Sequence, residues 1–314
     1  MDSDYVFRHS SPVNKLSTIT IVLFLSASLV SCSAKFSGAK QNTLIRNEGL
    51  PEAYPGYSGV YPDFTLSIDE RFDLYDEYLW HKGDGSVGDE SLCRFQPQGV
   101  QFHEGKLALL IQKEAIASGW SNDHERIKDA YDYTCGEYRS NQAFLYGRVE
   151  TRIKNPDPTL ASGYISSLFT YRNIESEGYH WREIDIETEG KRPTQFQSNL
   201  IFGEGTSYWY KTREWGAFEK LHDTGNTFEW RVYAFEWTPD KIIWFVDGVV
   251  VRTLTQAEAE KTGAKIPELA MNLMLNFWIP NDIVQDNFGG NKRDNTYPMT
   301  VHYDWFRYYN YTPN

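Results

Sequence analysis

Short segments of alternating apolar and polar residues run through most of the chain. Residues 144–153 and 163–171 alternate almost residue by residue, and residues 302–309 form an aromatic segment of the same kind. Residues 231–237 and 241–247 flank a Thr-Pro-Asp turn, as in a β-hairpin. Alternation places apolar side chains on one face of a strand. The pattern therefore predicts many short strands joined by turns.

Helical periodicity is nearly absent. One short segment, residues 255–261, has the composition of a surface helix. No alternation of strands with helices is present, so a parallel sheet is not expected. Many short strands over about 250 residues are typical of one all-β domain, an antiparallel sandwich of two sheets. We expect this domain to span residues 61–314.

The first 60 residues have the character of targeting and tethering sequence. Arg8 and Lys15 precede an apolar run, residues 19–30, that is too short for a transmembrane helix. The run ends in Leu-Val-Ser before Cys32, which resembles a bacterial lipobox. Residues 1–31 are therefore predicted to be a lipoprotein signal peptide, with Cys32 lipidated and residues 32–60 forming a polar tether. An ordinary signal peptide with an incidental cysteine is the alternative.

Such a leader implies export to the cell envelope. Ser33 after Cys32 favours an outer-membrane lipoprotein, which would contact the membrane only through its anchor. The other two cysteines, Cys93 and Cys135, are predicted to form a disulfide, because exported chains fold in an oxidising compartment. Two buried free thiols are the alternative.

Composition restricts the partners. The net charge of -12 disfavours nucleic acid, because an acidic surface repels phosphates. Aromatic residues make up 16% of the chain, with 10 Trp and 21 Tyr. Flat rings with a polar edge can stack on sugars, so these residues indicate a carbohydrate ligand or an aromatic-rich core. We expect a monomer.

Residues 180–190 (HWREIDIETEG) carry the most specific chemical pattern. Glu183, Asp185 and Glu187 are spaced i, i+2, i+4, with isoleucines between them. On a strand the three acids would share one face and the isoleucines the other. Carboxylates on one face raise one another's proton affinity. A plain solvent-exposed strand is therefore a poor explanation, although it remains an alternative.

Two uses would explain such a row of acids. A hard cation could bind the three carboxylates. Alternatively, the row could hold the acid and the nucleophile of a retaining glycosidase, whose carboxyls lie roughly 5–5.5 Å apart. The Cα atoms of Glu183 and Glu187 should be about 13 Å apart on a strand. Long glutamate side chains on a concave strand can close that gap, with Asp185 between them adjusting their pKa values.

This segment and its surroundings resemble glycoside hydrolase family 16, most of all its bacterial β-1,3-1,4-glucanase (lichenase) branch. The resemblance covers residues 65–310 and includes residues 80–85, 135–140, 163–171, 180–190, 233–237, 243–248, 274–278 and 303–305. It implies a concanavalin A-like jelly-roll sandwich with a substrate cleft on its concave face. The spacing of Glu183 and Glu187 matches members that lack a bulge in the acid strand.

The resemblance assigns roles residue by residue. Glu183 would be the nucleophile, Glu187 the general acid/base and Asp185 the assisting carboxylate. The expected substrate contacts are Trp181 as the floor of the site, Glu137 and Arg139 on glucose hydroxyls, Phe169 and Tyr171 as aromatic contacts, Asn199 as a polar contact, and Asn276 and Trp278 on the acceptor side. Core packing is the alternative for these residues.

The resemblance also implies two structural features. It pairs Cys93 with Cys135, and it makes Asp304 a ligand of a structural calcium, for which a salt-bridged strand aspartate is the alternative. No cofactor is expected in the chemistry itself.

Several positions depart from the lichenase pattern. Arg182, Thr188, Glu189 and Ile201 differ from it, as does the segment 281–297. We expect these changes to fall in the cleft, where they would weaken the assignment of mixed-linkage glucan without affecting the reaction class.

The sequence thus predicts an endo-acting retaining glycoside hydrolase that cuts internal β-linkages of a polysaccharide, with β-1,3-1,4-glucan as the first candidate. An exopolysaccharide depolymerase or a transglycosylase of the same family is the alternative among enzymes. A surface polysaccharide-binding lectin, or a calcium-binding protein that uses the acid row as ligands, is the alternative without catalysis.

Overall fold

The computed structural model describes residues 47, 50, 53–85, 90–116, 119–120, 126–127, 131–172, 179–205 and 214–313. The predicted signal peptide and Cys32 lie outside these residues. In the described part of the chain the strands are β1 (Phe64–Glu70), β2 (Trp80–Lys82), β3 (Cys93–Phe95), β4 (Val100–Phe102), β5 (Leu107–Ile111), β6 (Gly119–Trp120), β7 (Arg126–Ile127), β8 (Tyr133–Phe144), β9 (Gly147–Lys154), β10 (Ile165–Arg172), β11 (Tyr179–Glu189), β12 (Gln195–Gly205), β13 (Glu214–Ala217), β14 (Lys220–Asp223), β15 (Arg231–Trp237), β16 (Lys241–Val246), β17 (Val249–Thr255), β18 (Met271–Trp278) and β19 (Met299–Tyr311).

The strands form two large sheets. The outer sheet has the order β17-β16-β15-β9-β19-β5-β4, with β1 also paired to β19. The acid sheet has the order β13-β12-β11-β10-β18-β8-β2, with β14 paired to β12 and β3 to β8. Neighbouring strands are antiparallel except β3 and β8, and β6 pairs with β7 in a separate ribbon. The predicted antiparallel two-sheet sandwich is confirmed.

The predicted surface helix is also present, as α1 (Gln256–Glu260). Thr255 precedes it and accepts a hydrogen bond from the Glu258 amide, while the Glu258 carboxylate accepts one from the Thr255 amide at 2.8 Å. This reciprocal pairing satisfies two amides that the first helical turn leaves without partners. None of the helices in the described part of the chain has the length and apolar character needed to span a bilayer.

One continuous hydrophobic core fills the space between the sheets. Ile184 and Ile186 of β11 lie in it, at most 1% exposed, together with Phe235 and Trp244 of the outer sheet. Burial of each such side chain contributes roughly 1.5–3 kcal/mol to folding. The Trp244 indole N–H also donates to the backbone oxygen of Asp185 at 3.0 Å. The core therefore fixes the acid strand from beneath.

The predicted disulfide between Cys93 and Cys135 is present, with Cα atoms 5.9 Å apart. Both cysteines are fully buried, and the bond joins β3 to the start of β8. Glu137 and Arg139 follow Cys135 on β8, so the disulfide anchors the strand that carries them.

The described part of the predicted tether packs on the outer sheet. Ala53 is buried against Val232 and Trp305. The Tyr57 hydroxyl donates to the Glu150 carboxylate at 2.6 Å. Tyr54 and Tyr57 therefore pack as part of the outer layer of the sandwich, while the domain boundary at residue 60 stays a prediction. Lipidation and the remainder of the tether stay predictions.

Candidate active site

The hydrogen-bond register of the acid sheet aligns the predicted acids with residues of four other strands. Strand β11 pairs with β10 and β12 without a register shift through Glu183, Asp185 and Glu187. The row through Glu187 contains Gln197, Ser167, Asn276 and Glu137; the row through Asp185 contains Asn199, Phe169, Met274 and Arg139; the row through Glu183 contains Ile201, Tyr171 and Asn272. Direct cross-strand partners point to the same face of a sheet. We call this surface the acid face.

The acid face lies opposite the core. Ile184 and Ile186, which alternate with the acids, are buried between the sheets. Asp185 is 2% exposed, whereas Glu183 and Glu187 are partly exposed. The two glutamates therefore reach solvent while the aspartate lies beneath them. This is the arrangement predicted from the alternation in residues 180–190.

Burial raises the pKa of Glu183 to about 7. The Trp181 indole N–H donates to its carboxylate at 2.7 Å and opposes that shift, since a hydrogen bond to the charged form favours ionisation. Trp181 is therefore adjacent to the acids, as predicted, and touches the proposed nucleophile directly.

Burial also raises the pKa of Asp185 and of Glu187 well above their ordinary values, and the neighbouring carboxylates add to both shifts. Gln197 Nε2 lies 3.4 Å from the Glu187 carboxylate, a longer hydrogen bond than the one from Trp181 to Glu183. The second oxygen of Asp185 has no hydrogen-bond partner within the described structure. Groups that share a site in this way cannot all be ionised at neutral pH.

The arrangement suits proton transfer. None of the arginine, lysine or histidine side chains in the described residues forms an ion pair with Glu183, Asp185 or Glu187. Burial and mutual repulsion raise the pKa values of all three carboxyls, so the row keeps protons to higher pH than exposed acids do and can combine a protonated acid with an ionised group. That combination is what cleavage of a glycosidic bond requires.

The predicted polar contacts on β8 lie on the acid face. Glu137 is 7% exposed, and its Oε1 lies 3.9 Å from Arg139 Nη1. The Arg139 Nε–H donates to His81 Nε2 at 2.8 Å. This acid–base pair, supported by β2, presents both hydrogen-bond donors and acceptors toward a ligand.

The two predicted asparagines differ in their contacts. Asn199 Oδ1 accepts from the Phe218 amide at 2.9 Å, so this residue fixes a neighbouring backbone segment. Asn276 Oδ1 and Ser167 Oγ are buried in the Glu187 row and have no partner within the described part of the protein. Buried polar atoms normally find partners, so these two atoms are candidates for hydrogen bonds to a ligand.

The predicted aromatic contacts also separate into two groups. Phe169 and Tyr171 lie on the acid face, in register with Asp185 and Glu183, with Phe169 6% exposed and Tyr171 partly exposed. Trp278 is 7% exposed and packs against Phe288 with ring centroids 5.8 Å apart. Trp278 thus lies at the buried end of the face.

Two of the departures are not in the cleft, contrary to expectation. Arg182 is fully buried on the opposite face, where its guanidinium pairs with Glu268 at 3.0 Å. Thr188 is likewise turned away from the acids and hydrogen-bonds to Ser166 at 2.8 Å. Both alternate with the acids along β11, and strand periodicity sends them to the other side. Ile201 does lie on the acid face, beside Glu183.

Sequence reasoning missed Ser167 and Gln197 on the acid face and Trp244 beneath it. Ser167 has the same parity as Phe169 and Tyr171 on β10, so its face could have been inferred. Its position beside Glu187, and the contact of Trp244 with Asp185, depend on pairings between distant segments that alternation does not specify.

The predicted calcium ligand is engaged by a cation of the protein. Asp304 is 7% exposed, and its Oδ2 accepts from Arg152 Nη1 at 2.6 Å. No group of three or more His, Cys, Asp or Glu side chains within the described ranges has the geometry of a metal site. The expected structural calcium, whose other ligands would be backbone oxygens and water, stays a prediction.

Comparisons with known proteins agree with this geometry. Residues 88–307 match the family described as Glycosyl hydrolases family 16. The chain is 34% identical over 246 residues to a β-glucanase of Bacillus amyloliquefaciens, covering 77% of this chain and 87% of the relative. It is 33% identical over 240 residues to a β-glucanase of Acetivibrio thermocellus, covering 76% of this chain but only 61% of that relative. The crystal structure of a prokaryotic β-1,3-1,4-glucanase (lichenase) from a mouse hindgut metagenome superposes with a TM-score of 0.60 at 29% identity, covering 78% of this chain and 99% of that one.

Proposed function

The chain belongs to glycosyl hydrolases family 16 and is an endo-acting glycosidase, and we propose that it cleaves an unbranched β-1,3-1,4-glucan with retention of anomeric configuration. The lectin and the calcium-binding alternatives are set aside because the chain is an enzyme of this family. The substrate, the stereochemistry and the residue roles are the proposed parts.

One observation carries the proposal. Glu183, Asp185 and Glu187 form an unbroken i, i+2, i+4 row on one face, with raised pKa values and no ion-pair partner in the described structure. A structural sheet gains nothing from such a row, because each buried carboxylate opposes the ionisation of the next. A double-displacement reaction uses all three.

In the first step Glu187 donates its proton to the glycosidic oxygen while the Glu183 carboxylate attacks the anomeric carbon. The carbon–oxygen bond to the leaving sugar breaks, and an ester bond to Glu183 forms. In the second step Glu187 takes a proton from water, the water oxygen attacks the same carbon, and Glu183 leaves as a carboxylate. Two inversions give net retention.

Asp185 supports both steps without contacting the leaving group. It lies between the glutamates, buried, and hydrogen-bonds to Glu183. A proton held by Asp185 stabilises the ionised form of Glu183, while its charge after ionisation disfavours a second anion nearby. Asp185 can therefore hold a proton while Glu183 is ionised and release it while Glu183 is esterified.

The names of the relatives support a mixed-linkage glucan, since they are β-glucanases and a lichenase. Ile201 beside Glu183 is an observation in favour of the second candidate, an exopolysaccharide depolymerase or transglycosylase of the same family. An aliphatic side chain cannot hydrogen-bond a sugar, so the cleft beside Glu183 is less polar than the lichenase pattern implies.

We also propose that the enzyme works at the cell envelope as a lipid-anchored outer-membrane protein, on the strength of the lipobox-like sequence before Cys32. A surface location places an endo-acting enzyme next to polymers too large to enter the cell. We expect a monomer that needs no metal for catalysis, so the rate should be the same with and without a chelator.

The test is a substrate panel. The purified mature protein would be incubated with barley mixed-linkage glucan, laminarin, xyloglucan and bacterial exopolysaccharide, with sizing of the products and proton NMR of the first anomer released. We expect short oligosaccharides from mixed-linkage glucan and an initial β-anomer. An initial α-anomer would contradict retention, and longer products from short donors would identify a transglycosylase.

A further inference from the structure

The acid face ends abruptly beyond Glu187. The next row along the strands contains Glu189, Ile165 and Trp278 in register, and these side chains are 1%, 0% and 7% exposed. They have the orientation of the acid face, yet they are covered. The cover is the segment 280–291, which we call the wall loop.

Side chains that follow the acid strand hold the wall loop in place. The Glu189 carboxylate accepts from the Gly289 amide at 2.8 Å and pairs with Arg192 through its other oxygen. Lys191 Nζ donates to the carbonyl of Asp286 at 2.9 Å. We call Glu189, Lys191 and Arg192 the clamp.

Arg192 has a second contact that extends the clamp along the loop. Its Nη2 donates to the Asn287 carbonyl at 3.4 Å while its Nη1 remains paired with Glu189. The three charged residues among positions 189–192 therefore contact three backbone groups of the loop. The buried charge of Glu189 is compensated by the Gly289 amide, the Arg192 guanidinium and the Lys191 ammonium, whose Nζ lies 3.8 Å from Glu189 Oε2.

The backbone of the wall loop at Gly289 is hydrogen-bonded and closely packed against the acid sheet. The Gly289 carbonyl accepts from the amides of Lys191 and Tyr164, each at 3.3 Å. Gly289 has a φ of 84°, and a Cβ added there would lie 2.5 Å from Ile165 Cδ1. Only glycine allows this close approach in this conformation. On the far side Phe288 packs on Trp278.

The wall loop is close to the reacting groups. Glu189 follows Glu187 by two residues on the same face, so their Cα atoms are about 7 Å apart. The Glu189 charge is also among the causes that raise the pKa of Glu187. A side branch on a polysaccharide that pointed toward Glu189 would meet the loop.

Resting on the proposed function, we propose that the clamp is a set of positioning residues that hold the wall loop beside Glu187, and that the loop restricts the glucan at that side of the cleavage point to an unsubstituted backbone. Both Glu189 and the loop depart from the lichenase pattern, and the clamp explains why they depart together. The buried Glu189 carboxylate requires the Gly289 amide as a hydrogen-bond donor, and the wall loop requires Glu189 to hold it in position.

A purely structural network would look similar in a static structure, so a matched control is needed. Glu268 provides it, because its carboxylate pairs with buried Arg182 of the same strand, on the opposite face. Glu189→Gln and Glu268→Gln remove one charge each from an ion pair on β11. Glu189→Leu also removes the acceptor for the Gly289 amide.

The experiment measures two properties of the full-length chain and its variants. Hydrogen exchange of the peptide that contains Gly289 reports the loop directly. The ratio of kcat/KM on mixed-linkage glucan to kcat/KM on xyloglucan reports selection against side branches. In Glu189→Leu we expect faster exchange and a ratio lowered about tenfold, mainly through a lower KM on the branched xyloglucan. For Glu189→Gln we expect an exchange rate and a ratio between those of the wild type and Glu189→Leu. For Glu268→Gln we expect both to match the wild type.

Two results would overturn the proposal. If the Gly289 peptide stays protected in Glu189→Leu, the clamp does not hold the loop. If exchange becomes faster while the ratio is unchanged, the loop does not select the substrate. If the wild type cleaves neither glucan, the proposed function is wrong, and the exchange measurement still decides the clamp.

Discussion

Two buried carboxyl groups on opposite sheets show how this molecule separates stability from chemistry. Glu150 of the outer sheet is fully buried, and Asp185 of the acid sheet is 2% exposed. The Glu150 oxygens accept from Tyr57 at 2.6 Å, Tyr61 at 2.7 Å, Tyr309 at 3.0 Å and Arg148 at 3.1 Å. One oxygen of Asp185 has no partner within the described residues, and its nearest charged neighbours are other acids.

The difference lies in what each carboxyl is surrounded by. A buried carboxylate is tolerated when a cation and hydrogen-bond donors replace the water it has lost, and Glu150 has both. Asp185 and its neighbours pair with no cation of the described residues and accept from few donors, so they hold protons at a pH where exposed acids do not. A fully compensated carboxyl makes the fold specific, whereas an uncompensated row can give and take protons.

The largest expected effect concerns activity on the acid face. Glu187→Gln removes the proton donor while keeping the size of the side chain. We expect kcat on mixed-linkage glucan to fall about 10²- to 10⁴-fold, the usual contribution of general acid catalysis. The same variant should keep or raise the thermal midpoint, because the amide never takes on the charge that burial beside Glu183 and Asp185 makes unfavourable. Reducing-end assays and calorimetry measure both.

Activity and stability must separate for this interpretation to hold. A Glu187→Gln protein that is inactive because it has lost its fold, or one that retains near wild-type turnover, would contradict the assignment. An aryl glucoside with a good leaving group provides the control. It needs little protonation, so its first step should be much less affected than that of the polysaccharide.

The second effect is expected on the outer sheet, where a substitution should lower stability and leave activity unchanged. Glu150→Gln removes one of the two carboxylates that pair with the buried Arg148 guanidinium, leaving only Glu236, and places an amide among three tyrosine hydroxyl donors. We expect the free energy of unfolding to fall by about 3–5 kcal/mol, as is usual when one partner of a buried ion pair is removed. Activity per folded molecule should be unchanged below the unfolding transition. A urea titration gives the stability, and a variant as stable as the wild type would contradict the structural role.

The acid row could be predicted from the sequence because its information is local. Strand periodicity alone places Glu183, Asp185 and Glu187 on one face, and the structure agrees. Glu150 also lies in a segment whose alternation was evident, but its partner Tyr57 is 93 residues away in the predicted tether. Pairing across such distances is decided by packing between sheets, which alternation does not encode.

The same limit explains the mixed result in the cleft. Trp181 and Phe169 lie near the acids because each is within two residues of them or directly paired to them. Asn199 has the right parity, yet its side chain is used by the Phe218 amide. Arg182 is the opposite case. Its even-numbered position on β11 predicts the face away from the acids, and it lies there.

The third effect is a pH dependence of stability that belongs to the acid face. Glu183 has a pKa of about 7 when folded against an ordinary 4.5, so its protonated form favours folding. Its contribution is fully present below about pH 4.5 and is lost as the pH rises through about 7. The Glu183→Gln variant has no carboxyl to ionise, so it does not lose this stability as the pH rises. Its stability relative to wild type should therefore rise by on the order of 2 kcal/mol between these pH values. A difference that stayed flat in urea titrations across this range would rule the shift out.

The smallest effect concerns Trp181, which touches Glu183 through one hydrogen bond. Trp181→Phe keeps an aromatic ring but removes the indole N–H that donates at 2.7 Å. Since that bond favours the ionised carboxylate, its loss should raise the pKa of Glu183 and move the acid limb of the kcat/KM profile to higher pH. Water can replace the donor at this partly exposed site, so we expect a loss of about fivefold at neutral pH, equivalent to about 1 kcal/mol. A stacking role alone would change KM at every pH and leave the limb in place, and that result would separate Trp181 from the electrostatics of the acid row.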